Sequence, residues 1–79
     1  MYNERKFKAK LVEAGLTVEK LAEIIGINQA TLYRKIAGKS EFTRIEMQVV
    51  QKALHLSRED LCSIFFAEGL AETQEEKAG

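Results

Sequence analysis

An all-α fold of five short helices is predicted by three features of this 79-residue chain. Apolar residues recur three and four positions apart in five separate stretches, the spacing of one buried helix face. A short polar side chain able to cap a helix stands ahead of each stretch: Asn3, Thr17, Asn28, Thr43 and Ser57. Strand-like alternation is absent over any useful length. There is no proline, so glycines punctuate the chain.

The first helix is expected from about Glu4 to Ala14, with Phe7 and Leu11 inward and Gly15 as its stop. Thr17 caps the second, where Val18, Leu21, Ala22 and Ile25 share a face until Gly26 ends it. Asn28 caps a third over Gln29 to Ala37, with Leu32 and Ile36 inward and Gly38 closing it. Thr43-Arg44-Ile45-Glu46 has the capping-box pattern, in which the Thr43 hydroxyl accepts from the Glu46 backbone while the Glu46 carboxylate reaches back. Behind it Met47, Val50 and Leu54, with Val49 and Ala53, form the apolar stripe of a fourth helix. Ser57 caps the fifth, whose Glu59 and Asp60 suit the positive end of the helix dipole. Leu61, Ile64 and Phe65 give its apolar face, broadened by Cys62 and Phe66. Helices this short are marginal alone, so packing between them must hold the fold. One domain is expected over residues 1–66. Residues 67–79, rich in Glu and short of bulky side chains apart from Leu70, read as an acidic tail, either a frayed helix or disordered.

Composition removes several classes of function. Apolar residues at 46% and charged residues at 30% fit a soluble globular domain and argue against a disordered chain. No apolar run approaches the roughly 18 residues of a membrane span, and no signal-peptide core follows Met1-Tyr2-Asn3-Glu4-Arg5-Lys6. Cys62 cannot close an intrachain disulfide, and with His55 alone for company it offers no metal-ligand cluster. No Ser/His/acid set, paired carboxylate, phosphate-binding Gly loop or HExxH pattern is present. The expectation is a cytoplasmic, non-enzymatic protein with no cofactor, metal, membrane partner or small-molecule substrate.

The net charge of zero conceals an asymmetry. Residues 1–66 carry eleven Lys and Arg against eight Asp and Glu, a balance of +3, while residues 67–79 carry Lys77 against four Glu, a balance of −3. From Asn28 to Arg44 the cations Arg34, Lys35, Lys39 and Arg44 face Glu41 alone, again +3. A basic body points to an anionic partner; the bland alternative is a solvated surface with none.

Thr17 to Gly38 decides between them. Gly26-Ile27-Asn28 is too tight a linker for an antiparallel hairpin, so the second and third helices must meet as a helix-turn-helix. Gly26 can take the positive φ that ends a helix sharply, Ile27 can tuck into the crook, and small Ala22 allows close helix approach. With Leu32 and Ile36 inward, Gln29, Ala30, Tyr33 and Arg34 face outward, flanked by Thr31 and Lys35. Gln can bond adenine and Arg guanine through two atoms each, and Ala or Thr can meet a thymine methyl. Backbone N–H groups at the helix starts marked by Thr17 and Asn28, together with Lys39 and Ser40, can hold phosphates.

The run Thr17-Val18-Glu19-Lys20-Leu21-Ala22-Glu23-Ile24-Ile25-Gly26-Ile27-Asn28-Gln29-Ala30-Thr31-Leu32-Tyr33-Arg34-Lys35-Ile36-Ala37-Gly38-Lys39 resembles the helix-turn-helix of phage repressor and Cro proteins. The likeness lies in the Leu21-Ala22 pair, Gly26-Ile27, Leu32 and the Gly38-Lys39 ending. Tyr33 to Thr43 is similar to small prophage-encoded regulators of Gram-positive bacteria. The resemblance implies a lambda-repressor-like domain that binds operator DNA as a transcriptional regulator and is usually a homodimer. Carried over, base contacts fall on Gln29, Ala30, Tyr33 and Arg34. Phosphate contacts fall on Thr17, Lys39 and Ser40, with Asn28, Thr31 and Lys35 beside them. Two positions depart from the pattern. Many relatives brace the recognition-helix Gln with a Gln at the start of the second helix, where this chain has Val18. Lys35 replaces a common apolar residue, and Ile36 takes the inward role.

Tyr33 has a second possible place, packed beside Phe42. Ile64, Phe65, Phe66 and Leu70 together are more apolar than one small helix buries, which predicts a two-fold dimer contact from part of that stripe. The functional expectation is a sequence-specific double-stranded DNA-binding regulator, a repressor of phage or prophage type. The alternatives are an antitoxin-type autoregulator that binds a toxin through residues 60–79, or an interaction module that keeps the fold without binding DNA.

Overall fold

The computed structural model describes residues 2–66. Its helices are α1 (Glu4–Glu13), α2 (Val18–Ile25), α3 (Gln29–Ile36), α4 (Arg44–Ala53) and α5 (Arg58–Phe65), with no strand among the described residues. The tail at 67–79, including Leu70, lies outside them.

Each helix begins where the polar side chains require. Asn3, Thr17, Asn28, Thr43 and Ser57 all have extended backbone, and each accepts a hydrogen bond from the amide three residues on. Thr43–Glu46 forms the complete capping box, and Ser57–Asp60 forms a second one. Gly26 closes α2 in the left-handed conformation at φ 88°. A Cβ built there would meet nothing within 4 Å, so the backbone angle, not crowding, calls for glycine.

Packing joins these short rods through one core. α2 packs on α3 and α4, while α1 packs on α3 and α5. Phe7, Leu21, Leu32, Val50 and Ile64 are fully enclosed. Phe42 and Leu56, which lie between helices, are also buried, so the core draws on linker side chains that helical spacing does not reveal. At one end Tyr2, Phe7, Phe42 and Phe65 form an aromatic cluster with ring centroids 5.3–6.3 Å apart. The Asn3 amide bonds the Ile64 carbonyl at 2.6 Å, tying the start of the chain to α5.

The apolar stripe of α5 divides differently from the sequence expectation. Ile64 is fully buried and Phe65 is 9% exposed, both within the chain's own core, so neither offers a face to a second copy. The cause is Tyr2, Phe7 and Phe42, whose rings take up Phe65 from within. Phe66, at the C-cap of α5, remains 41% exposed. Cys62 is half-buried on the same helix.

Candidate nucleic-acid interface

The turn between α2 and α3 is built from backbone bonds. The Gly26 and Ile27 amides both donate to the Ala22 carbonyl, at 2.8 and 3.0 Å. Asn28 follows at once as the cap of α3, its Oδ1 accepting from the Thr31 amide at 3.1 Å. Ala22 is buried and Ile27 packs half-buried against the core, as the tight junction demands. Leu32 and Ile36 then anchor α3, at 0% and 3% exposure.

That anchoring leaves one flank of α3 in solvent. Gln29, Ala30, Thr31 and Arg34 are exposed, and Tyr33 is 56% exposed. No aromatic pair among the described residues joins Tyr33 to Phe42, so the inward alternative for Tyr33 is not adopted. Its ring instead borders a shallow groove with Lys8, Leu11, Val18 and Ile36. Thr17, Lys39 and Ser40 are exposed beside the flank. Thr17 Oγ1 and Asn28 Oδ1 are engaged as caps by the Lys20 and Thr31 amides, which leaves the amides of Val18 and Glu19 in α2 and of Gln29 and Ala30 in α3 as the donors free for an anion. A cleft of about 510 Å³ opens between these two first turns, lined by Thr17, Glu19, Lys20 and Gln29 among others.

Two side chains behave differently from the sequence reading. Gln29 does have a brace: its Nε2 lies 3.5 Å from Glu19 Oε2, a long contact at the outer limit of a hydrogen bond. Val18 in the usual bracing position hides this, because the partner is the next residue along. Lys35 is the larger correction. Its side chain is only 11% exposed, and its Nζ donates to Glu46 Oε1 at 2.8 Å and to the Glu41 carbonyl at 3.1 Å. The ammonium is thus engaged within the chain, and its charge is balanced locally by Glu46, which sets Lys35 apart from the free cations beside it.

The cations free between α3 and the start of α4 are therefore Arg34, Lys39 and Arg44, all exposed and outside every ion pair among the described residues. Tyr2 has a role that no local sequence pattern signals, because its partner lies 34 positions away. Its hydroxyl donates to the Ile36 carbonyl at 2.9 Å and so ties the last turn of α3 to the N-terminal segment. Burial first, and the charge of Glu4 second, push that phenol well above its ordinary pKa, so it remains a donor. No cluster of three or more metal-ligating side chains occurs among the described residues, and no described helix is long and apolar enough to cross a membrane.

Among protein families, the helix-turn-helix family model matches the chain over residues 7–61. Curated proteins and solved structures give no significant match.

Proposed function

The chain belongs to the helix-turn-helix family of phage repressor and Cro type, a family of DNA-binding regulators, and on that premise we propose that it is a sequence-specific regulator that lays α3 in the major groove of operator DNA. One observation carries the reading. The flank of α3 opposite Leu32 and Ile36 is solvent-exposed and bears Gln29, Ala30, Tyr33 and Arg34, with Lys39 in the loop that follows, and neither Arg34 nor Lys39 is in an ion pair among the described residues. Gln29 and Arg34 are the base-reading side chains, and Ala30 and Tyr33 supply apolar contact. Lys39, Ser40 and Thr31, with the amides that follow Thr17 and Asn28, hold the phosphates on either side.

The protein acts in the cytoplasm as a repressor of phage or prophage type, as a binding protein and not an enzyme. It works as a homodimer, since two copies of α3 about one turn of B-DNA apart, roughly 34 Å, double the contacts to a palindromic site. Phe66 supports this pairing as the exposed apolar residue at the end of α5.

The test is selection of duplexes from a random library by the full chain, followed by a salt titration on the winning site. The expected result is one enriched sequence family, with an affinity that falls log-linearly with salt. Recovery of no preferred sequence, or salt-independent binding, would overturn the reading.

A further inference from the structure

We infer that Lys35 is a positioning residue, which fixes the base-reading flank of α3 by locking its last turn to the start of α4. The inference rests on the DNA reading above and goes beyond it.

The geometry is a three-way junction. The Lys35 ammonium donates to Glu46 Oε1 at 2.8 Å and to the Glu41 carbonyl at 3.1 Å. The same Glu46 oxygen accepts the Thr43 amide at 2.9 Å, and the Glu46 amide bonds Thr43 Oγ1 at 3.1 Å. One side chain thus joins the end of α3, the connecting loop and the cap of α4. The Glu46 side chain, like that of Lys35, is mostly enclosed, at 15% exposure. A part-buried pair with additional hydrogen bonds on both partners holds its geometry better than a lone exposed pair does.

The junction matters because it ties α3 directly to α4, whereas buried Ile36 and the Tyr2 hydroxyl on the Ile36 carbonyl hold the last turn of α3 to other parts of the chain. α3 packs against α1 and α2, and α4 packs against α2, but α3 and α4 share no extensive contact. The loop between them carries Lys39 and Ser40. Its near end is fixed by the Lys39 amide on the Arg34 carbonyl at 2.9 Å, and its far end by Lys35 on Glu41 and Glu46 on Thr43. Releasing Lys35 unties the last turn of α3 from the start of α4, while Phe42 and the Thr43–Glu46 cap still hold the loop's far end, so Arg34, on α3, can shift relative to that end. A base contact depends on such alignment far more than a phosphate contact does.

The test compares the full wild-type chain with Lys35→Met and Lys35→Arg, on the selected duplex and on a random one, well below each unfolding midpoint. Met keeps the apolar stem and removes the charge. Lys35→Met is expected to lose about tenfold on the selected duplex, the equivalent of one base contact. It should keep wild-type affinity on random DNA and an unchanged salt slope, and Lys35→Arg should restore most of the preference. Equal loss on both duplexes with a salt slope smaller by about one unit would make Lys35 a phosphate contact and overturn the inference. Should Lys35→Met not fold, Glu46→Gln asks the same question: a reduced preference supports positioning, whereas tighter binding to both duplexes would show a lysine freed for phosphate. A wild-type chain with no preference overturns the DNA reading and this inference with it. A wild-type preference that survives intact in Lys35→Met overturns this inference alone.

Discussion

His55 follows α4 in the left-handed region, at φ 54°, the single non-glycine residue among those described with a positive φ. Its amide bonds the Lys52 carbonyl at 3.3 Å, so it fills the place where helices commonly end on glycine. An L side chain there costs about 1–2 kcal/mol, part of which glycine returns through its greater freedom when unfolded. His55→Gly is therefore expected to stabilise the domain by about 0.5–1 kcal/mol, read from the urea midpoint. Two cations on the proposed interface separate by the same kind of local reasoning. Arg34, on α3, should give up about 1–3 kcal/mol on mutation to Ala and lose preference at one base pair; equal loss on every sequence would reassign it to phosphate. Lys39, in the loop, should weaken all sequences alike as Lys39→Ala and reduce the salt slope by about one unit.

The caps of α4 and α5 make acid sensitivity a property of helix starts. Burial alone would raise the Glu46 carboxyl, but hydrogen bonds from Lys35 Nζ and the Thr43 amide, with the Lys35 charge, together outweigh it and hold the carboxyl below the ordinary carboxylate range. Asp60 is lowered first by the hydrogen bond its carboxylate accepts from the Ser57 amide, with Lys10 assisting at 3.5 Å. A folded-state pKa below the unfolded one gives stability that is fully present above the unfolded value and is lost as pH falls through the folded value. Glu46→Gln removes one of these titrations. The wild type should exceed it by about 1 kcal/mol near neutrality, and the gap should close as pH drops below the carboxylate range, as followed by urea midpoints across pH. A gap constant with pH would deny the Glu46 carboxylate this role. The Thr43–Glu46 capping box is legible in the sequence because it joins residues three apart, and Ser57 reads as a cap at the same spacing, although the return bond that the Asp60 carboxylate accepts does not. Lys35–Glu46 spans eleven positions and Tyr2–Ile36 thirty-four. Neither periodicity nor cap chemistry joins them. Lys35 reads as an exposed cation until the first turn of α4 is seen to lie beside it.

The same difference between near and distant contacts governs how the helices close into one body. The exposed flank of α3 is legible because Leu32 and Ile36 fix its opposite face within a single helix. The assignment of Ile64, Phe65 and Phe66 is not, because apolar spacing records that a face is buried and not against what. Tyr2, Phe7 and Phe42, from two other parts of the chain, claim Phe65. Adjacent phenylalanines should therefore fail in different ways. Phe65→Ala empties the centre of the aromatic cluster and should cost about 3–5 kcal/mol. In a domain this small that approaches the whole stability, at about 0.05–0.15 kcal/mol per residue, so the variant should lose its cooperative thermal transition. Phe66→Ala removes a half-exposed ring that lies tilted beside Phe65, with centroids 6.4 Å apart. Its cost to the monomer should stay within about 1 kcal/mol. If Phe66 seats a second copy, the folded variant should sediment as a lighter species than the wild type at equal concentration. An unchanged sedimentation profile with the fold retained would withdraw Phe66 from the dimer contact, and a Phe65→Ala chain that melts like the wild type would mean the aromatic cluster does not hold the domain together.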